Sequence, residues 1–205
     1  MTSTELPPRF KIPTELEKEL EYATVQDTRT DEEIIASLST FVTVASEKNV
    51  WAFWDKGVAS MPGWSQRNVI SWVRLLGPSW TVRVLDSNPD SPNYALRYVP
   101  ASMMPDSYVR STMDKRYIGP QSADFVRTAA LAVHGGVYLD VGSILIRHLD
   151  RMCWDEIMDD SSPFKLCVCS IVKGSAYNFL IAARKGDPFI MRWSVLGSSS
   201  TATNH

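Results

Sequence analysis

The sequence lacks the features that mark several large classes of protein. Its 205 residues include only three cysteines, and an odd count with a Cys-x-Cys pair, Cys167 and Cys169, does not fit a disulfide framework. No stretch approaches the ~20 consecutive apolar residues that a membrane-spanning helix needs. The formal net charge is −2, without a polybasic block, which argues against nucleic acid or anionic lipid as partners.

The sequence also lacks a glycine-rich phosphate loop and a signal peptide, which narrows the classes of protein that it can belong to. There is no glycine-rich phosphate loop of the G-x-G-x-x-G or Walker type, which argues against Rossmann dehydrogenases and P-loop enzymes. Residues 1–21 carry prolines and several glutamates, so they do not form the apolar core of a signal peptide. The sequence therefore predicts a cytoplasmic protein with no visible membrane anchor. Its 44% apolar and 21% charged residues are typical of one globular domain.

Hydrophobic patterns predict an α/β fold. Val50–Trp54 is β-branched and aromatic and favours a buried strand, Trp64–Leu76 has the periodicity of a helix, and Thr81–Leu85 favours a second strand. A strand, a helix and a strand in this order form a βαβ unit, which implies a parallel sheet. We expect a tail and helical lead-in over 1–47, one domain over 48–196, and a disordered tail over 197–205.

The remaining elements are predicted from caps, glycines and apolar stripes. Ser122 is expected to cap a helix that runs to His134, where Gly135-Gly136 ends it. The other predicted elements are a short helix over Glu15–Tyr22, a helix capped by Asp31, strands over Val137–Val141 and Leu166–Val172, an extended segment over Ser143–Leu149, and helices over Tyr177–Arg184 and Phe189–Leu196.

Three charged residues form the candidate site. Asp124 and Arg127 are three residues apart and share a helix face, away from the apolar stripe. Asp140 ends the following strand, and ligands of open parallel sheets bind outside such carboxyl ends. A carboxylate there can reach a metal ion that bridges a diphosphate. Each residue also has a plainer interpretation, since Asp140 can be a turn residue and Asp124–Arg127 an exposed ion pair.

In this stretch the sequence resembles the glycosyltransferases with a DXD sugar-binding region, of the family 32 type, and the related capsular-polysaccharide-synthesis proteins. The resemblance covers about residues 48–196. It is carried by Ser122, Asp124, Arg127, Gly135, Gly136, Tyr138 and Asp140, with supporting blocks at 50–57, 80–86 and 182–189.

The resemblance implies a GT-A fold with a mainly parallel central sheet and a catalytic set of Asp140, Asp124 and Arg127. Asp140 would contact a divalent cation, Mn²⁺ or Mg²⁺, and the donor; Asp124 and Arg127 would hold the donor sugar. Trp51 or Trp54 would stack on the base, although both also suit a buried strand. The remaining donor-site residues would be Gly135, Gly136 and Tyr138.

The implied activity is metal-dependent, retaining glycosyl transfer from a UDP- or GDP-sugar to a glycan, polysaccharide or small-molecule acceptor. Two departures from the family pattern matter. Gly142 stands where the motif has its second aspartate, which weakens the expected metal site, and we expect the domain to be cut short at its C-terminus. The alternative is a non-catalytic relic that binds a nucleotide weakly or a partner protein. Family resemblance also makes a Golgi or membrane association an alternative to the cytoplasm.

Overall fold

The structure, a computed structural model, describes residues 13–17, 27–113 and 118–199, with the backbone alone for 16–17 and 195–199. Its strands are β1 (Asn49–Phe53), β2 (Thr81–Leu85), β3 (Gly136–Leu139), β4 (Leu166–Cys169) and β5 (Tyr177–Ala183). Its helices are α1 (Thr14–Glu17), α2 (Asp31–Leu38), α3 (Gly63–Leu76), α4 (Asp106–Val109), α5 (Ile118–His134), α6 (Asp155–Met158) and α7 (Pro188–Ser199). Short 3₁₀ turns lie at Val58–Ser60, Ala95–Arg97 and Ala101–Met103, and a π-helical turn at Asp150–Trp154.

The five described strands form one mixed sheet in the order β2-β1-β3-β5-β4. β1 pairs in parallel with β2 and with β3, whereas β5 pairs antiparallel with both β3 and β4. The predicted α/β class is therefore confirmed, and the prediction of a mainly parallel sheet is only partly right. The parallel half contains the strands that were recognised from their βαβ order.

Helices cover both faces of the sheet, which explains why β1 is buried along its whole length. On one face, Ile34 of α2 and Trp72 of α3 pack with Val50 and Leu139. On the other face, Val126 of α5 packs with Trp51 and Tyr138. Alternate residues of the strands thus enter opposite cores, as the period of a strand requires.

The order of the strands creates a crevice at one edge of the sheet. The chain passes from β1 to β2 on one side, and later returns to place β3 on the other side of β1. At such a switch point the connections after two neighbouring parallel strands leave in opposite directions, so their carboxyl ends border an open space. The space lies between the residues after Phe53 and those after Leu139.

Several predicted elements need correction. Tyr177–Arg184, predicted to be a helix, is strand β5. The helix predicted to begin at Ser122 already includes Ile118, so Ser122 is a buried helical residue and not the cap. Thr30, not Asp31, caps α2, where its hydroxyl accepts a hydrogen bond from the Glu33 amide and the Glu33 carboxylate accepts one from the Thr30 amide.

Smaller differences concern the ends of elements. The segment Ser143–Leu149 contains no strand, and the strand predicted to reach Val172 ends at Cys169. Helix α7 runs to Ser199, into the tail expected over 197–205, and residues 200–205 lie outside the described part. Of the predicted helix over Glu15–Tyr22, only the part up to Glu17 lies in the described residues. No helix among the described residues has the length and apolar character to cross a membrane.

Candidate functional site

A cavity of about 630 Å³ occupies the crevice between the carboxyl ends of β1 and β3 and the beginning of α5. The lining comes from these three elements and from β5. It comprises Phe53, Trp54, Asp55, Ile118, Gly119, Pro120, Ala123, Asp124, Arg127, Asp140, Val141, Gly142 and Asn178. A volume in this range is typical of small-molecule and cofactor sites.

Arg127 is the centre of this cavity's polar network. Its side chain is only 5% exposed, and Nη2 lies 3.1 Å from Oδ1 of Asp124 and 3.5 Å from Oδ1 of Asp140. Nε donates to the Ala123 carbonyl at 3.3 Å, and Nη1 donates to the Asn178 carbonyl. The guanidinium also lies over the Tyr138 ring, 4.5 Å from its centroid. These contacts fix the guanidinium between two carboxylates that were predicted to act together.

The two carboxylates remain open to the cavity, with side chains 56% exposed for Asp124 and 41% for Asp140. Desolvation raises the pKa of Asp124, the Arg127 charge opposes that shift, and the Asp140 charge adds to it. Burial likewise raises the pKa of the Tyr138 phenol far above its ordinary value, so that the phenol stays neutral. The charged lining residues are Asp55, Asp124, Asp140 and Arg127, three carboxylates against one guanidinium.

The loop that carries Asp140 is held from two sides. On the β5 side, the Asp140 amide donates to the Phe179 carbonyl at 2.9 Å. On the α3 side, Asn68 Nδ2 donates to the Val141 carbonyl at 3.0 Å and Trp72 Nε1 donates to the Ser143 carbonyl at 3.1 Å. Residues 140–143 have no regular secondary structure, and these bonds define their path.

The two tryptophans predicted as base platforms lie in different places. Trp51 is fully buried, donates from Nε1 to the Gly135 carbonyl at 2.8 Å, and stacks on His134 at a centroid distance of 5.4 Å. It does not line the cavity. Trp54, three residues further along the chain and just past the end of β1, is half-buried and does line it. The core interpretation thus describes Trp51, and Trp54 is the aromatic that a ligand can reach.

Gly135 and Gly136 lie at the amino end of β3, away from the cavity. Both have positive φ, 68° and 107°, which favours glycine. A Cβ on Gly135 would lie 2.5 Å from the Lys185 amide nitrogen, and one on Gly136 would lie 2.4 Å from the Asn49 carbonyl oxygen. Their contacts are with the backbone of neighbouring strands and loops. Tyr138 is also buried and lies under Arg127, which leaves it a supporting position.

The sequence did not single out two of the lining residues that touch the charged set. Asn178 Nδ2 donates to Oδ1 of Asp124 at 3.1 Å, and Gly119 lies close to the Asp55 carboxylate. Asn178 was missed because 177–184 was predicted as a helix; its position before the apolar run Phe179–Ala183 was the available signal. Asn178 also borders a second, more apolar cavity of about 740 Å³ between β4, β5 and α7.

No group of three or more His, Cys, Asp or Glu side chains that could hold a metal ion occurs among the described residues. Gly142 contributes no ligand at the second motif position. The three cysteines form no disulfide, as the sequence predicted; Cys153 is buried, while Cys167 and Cys169 are half-buried.

A family model describes the same region of the chain. Residues 65–162 match the glycosyltransferase sugar-binding region containing a DXD motif. This segment contains Asp124, Arg127 and Asp140, although the motif reads Asp140-Val141-Gly142. The resemblance drawn from residues 122–140 is therefore confirmed.

Curated relatives extend the likeness to most of the chain. It is 48% identical over 187 residues to a protein named "Probable glycosyltransferase FCK3" of Fusarium pseudograminearum, covering 91% of this chain and 48% of that one. It is 46% identical over 171 residues to "O-glycosyltransferase braB" of Annulohypoxylon truncatum, covering 82% and 41%. "Glycosyltransferase afumC" of Aspergillus fumigatus is 41% identical over 188 residues, covering 86% and 48%. The chain thus spans less than half the length of each of these relatives.

Among solved structures, the fold is similar to "PaToxG Glycosyltransferase", with a TM-score of 0.52 at 17% identity, over 83% of this chain and 66% of that one. At this identity the likeness concerns the fold alone. It agrees with the glycosyltransferase fold expected from the sequence. The chain is thus similar over most of its length to proteins named glycosyltransferases, over residues 65–162 to the DXD-containing sugar-binding region, and in its fold to a glycosyltransferase.

Proposed function

We propose that the chain is the donor-binding part of a glycosyltransferase and that a nucleoside diphosphate sugar binds in the cavity at the carboxyl ends of β1 and β3. The observation that carries the proposal is the position of Arg127, buried and held between Asp124 and Asp140 at the cavity wall. Relatives that are named glycosyltransferases support the reaction class.

Within this cavity the residues suit different parts of the donor. Asp124 and Asp140 present carboxylate oxygens that accept hydrogen bonds from sugar or ribose hydroxyls, and Asn178 supplies an amide beside them. Trp54 offers a half-exposed ring for the base. Arg127 holds the two carboxylates in place, since a positive charge between them offsets their mutual repulsion. During transfer, its fixed charge stabilises the leaving diphosphate.

The family generally uses a divalent cation, for which Mn²⁺ or Mg²⁺ is the expectation from resemblance. Asp140 is the carboxylate of the motif, and Gly142 gives no second one. Magnesium is commonly held by one or two carboxylates together with substrate phosphates and water. Asp140 therefore fits a cation that binds together with the donor, and does not fit a cation held tightly by the protein alone. When bound, such a cation neutralises charge on the diphosphate.

The finer features stay proposals. We infer a UDP- or GDP-sugar as donor and a glycan, polysaccharide or small molecule as acceptor, with retention of configuration implied by the family resemblance. A cytoplasmic location is likewise the prediction from the sequence. The relatives named O-glycosyltransferases make a hydroxyl the favoured acceptor group.

Calorimetric titration tests the proposal directly. The chain is titrated with UDP-glucose and GDP-mannose, with Mn²⁺ and with a chelator, beside Asp140→Asn. We expect saturable binding of one donor, strengthened by Mn²⁺, and about tenfold weaker binding by Asp140→Asn, the loss of one charge-assisted hydrogen bond.

The control is Asp106→Asn, which removes a carboxylate whose side chain is 87% exposed and which does not line the cavity. Its binding constant should equal that of the unchanged chain. If a folded chain binds neither donor under any of these conditions, the proposal is wrong for this chain, and the alternative of a non-catalytic relic or partner-binding protein is favoured.

A further inference from the structure

Helix α3 presents a row of three side chains to the loop that carries Asp140. Trp64, Asn68 and Trp72 are spaced four residues apart, so they lie on one face of the helix. Asn68 and Trp72 hold the carbonyls of Val141 and Ser143 by hydrogen bonds. Trp64 continues the row, with Cζ3 at 3.9 Å from the position that a Cβ on Gly142 would occupy.

Trp64 differs from Asn68 and Trp72 in that its side chain is exposed to solvent. Of the seven tryptophans, all within the described ranges, Trp64 is the one with an exposed side chain, at 52%. Trp72 in the same row is fully buried. A tryptophan ring left half in water gains free energy when a ligand covers it, and its two side-chain torsions limit the entropy lost.

The ring lies beside the donor cavity. Gly142 is part of the cavity lining. Among the described residues, apart from the two chain neighbours of Gly142, only the edge of Trp64 lies within 4 Å of the position of a Cβ. The glycine therefore leaves the space in front of the indole edge open. The side chain of an aspartate at this position would fill that space with charge.

We propose that Trp64 and Gly142 form an aromatic subsite that receives the flat, C–H-bearing face of a sugar ring. A pyranose has such an apolar face and carries its hydroxyls around the edge, so it suits an indole beside carboxylates and an amide. The subsite rests on the proposed function, since it extends the donor cavity. The ring belongs to the donor sugar or to a sugar on the acceptor, and the experiment below separates these sources.

The test compares Trp64→Ala and Trp64→Phe with the unchanged chain. Calorimetry measures the affinity of each for UDP, for UDP-glucose, and for methyl glucoside added to the UDP-saturated chain, with GDP, GDP-mannose and methyl mannoside as the second series. We expect Trp64→Ala to weaken one sugar ligand five- to tenfold, as for loss of one aromatic contact, and to leave the nucleotide within about twofold. Trp64→Phe should restore most of the affinity.

A second readout reports on the ring itself. In a chain labelled with 5-fluorotryptophan, the ¹⁹F resonance lost in Trp64→Phe identifies Trp64 among the seven signals. The sugar ligand should shift that resonance, and the free nucleotide should not. This response requires contact at Trp64, which a merely structural role would not produce.

The outcomes distinguish a donor sugar from an acceptor sugar, and failure of the subsite from failure of the proposed function. A loss confined to the nucleotide sugar assigns the subsite to the donor, and a loss confined to the methyl glycoside assigns it to the acceptor. Unchanged binding of every sugar, or an equal loss for nucleotide and nucleotide sugar, refutes the sugar-ring subsite and leaves the donor cavity standing. Failure of the unchanged chain to bind any of these ligands refutes the proposed function and the subsite with it.

Discussion

The two ends of strand β3 are built in opposite ways. At its amino end, Gly135 and Gly136 lie close to backbone atoms of two other segments, residues 47–49 and 184–185, and Trp51 Nε1 donates to the Gly135 carbonyl. At its carboxyl end, Asp140 and Gly142 face a cavity of about 630 Å³. We call the amino end of this four-residue strand the closed end, because an added side chain there would clash with backbone atoms. The carboxyl end is the open end, because its side chains face the cavity.

The difference shows that glycines only a few residues apart carry different constraints. Gly136 has φ of 107° and no room for a methyl group, whereas Gly142 does not have a positive φ and has ordinary contact distance around its missing side chain. The first glycine is required by the fold. The second leaves space in the cavity, and we expect the ligand of the cavity, not the fold, to limit which residue can stand there.

The largest expected effect is at the closed end. Gly136→Ala puts a Cβ at 2.4 Å from the Asn49 carbonyl oxygen, in a backbone conformation that L residues rarely adopt. We expect the free energy of unfolding to fall by about 3 kcal/mol or more, from backbone strain and overpacking together. Urea denaturation followed by circular dichroism measures this loss.

Gly142→Ala is the matched control at the open end, where the added methyl group meets only the edge of Trp64. Its free energy of unfolding should stay within about 0.5 kcal/mol of the unchanged chain. Equal destabilisation by the two substitutions would show that the contrast between the ends of β3 is wrong.

The next effect concerns the open end. Arg127→Met removes the charge between Asp124 and Asp140 and leaves both carboxylates facing each other. We expect donor affinity to fall about 30-fold or more, corresponding to about 2 kcal/mol for removing a buried guanidinium that holds both donor-binding carboxylates. Calorimetry with UDP-glucose and with GDP-mannose measures the affinity.

Arg127→Lys keeps the charge and loses the planar fork that reaches Asp124, Asp140 and the Asn178 carbonyl together. Its affinity should lie between those of the unchanged chain and Arg127→Met. Full donor affinity in Arg127→Met, with the fold intact, would mean that the charged network does not hold the donor.

The smallest effect is a pH dependence at the closed end, where His134 lies against Trp51 and Nε2 bonds the Tyr98 carbonyl. Burial lowers the pKa of His134, and the positive charges of Arg83 and Lys185 lower it further, against the effect of the Tyr98 bond. The unfolded chain takes up a proton near pH 6.5 that the folded chain resists, so stability falls as the pH drops through that value.

We expect this histidine to contribute at most about 1.4 kcal/mol of the stability lost between pH 7.5 and 5.5, the limit for one group that titrates near pH 6.5 only when unfolded. His134→Gln keeps a donor for the Tyr98 carbonyl and does not titrate. Urea midpoints at the two pH values should therefore differ less in His134→Gln than in the unchanged chain. A steeper pH dependence in the variant would contradict the assignment of His134 as a half-buried group that resists protonation in the folded chain.

The sequence was sufficient to predict the parallel half of the sheet and the two glycines at the closed end of β3. β1, β2 and α3 were predicted within one residue, since their apolar periodicity and their glycine and proline boundaries all indicate the same elements. Asp124, Arg127 and Asp140 were predicted to share a site because helix spacing and the position of a strand end depend on local sequence alone.

The antiparallel half of the sheet could not be predicted from the sequence, because its strands depend on contacts between distant residues. Tyr177–Ala183 is a short apolar run with alanines at its end, and such a run fits a helix or a strand until its neighbours decide. It is a strand because its residues pair with β3 and with β4, contacts that lie far apart in sequence. The error also concealed Asn178, whose place at the cavity follows from that pairing.

The start of α5 was predicted too late, at Ser122, which follows Gly119-Pro120, a dipeptide that is typical of loops. In the structure both residues belong to the first turn of the helix. Proline is tolerated there, since the first turn has no intrahelical acceptor for its amide hydrogens. The extra turn brings Ile118, Gly119 and Pro120 into the cavity wall, so the missed boundary was also a missed part of the site.

The bonds from Asn68 and Trp72 to the Asp140 loop end on carbonyl oxygens, at Val141 and Ser143. Every amino acid has that oxygen, so these two bonds do not depend on the side chains at the bonded positions. Val141 packs in the core, but mutation can exchange Gly142 and Ser143 while Asp140 keeps its place, and a motif without its second acid can stand in an intact loop. In evolutionary terms, the support from α3 allows substitutions in this loop to change the preferred ligand while the fold stays the same.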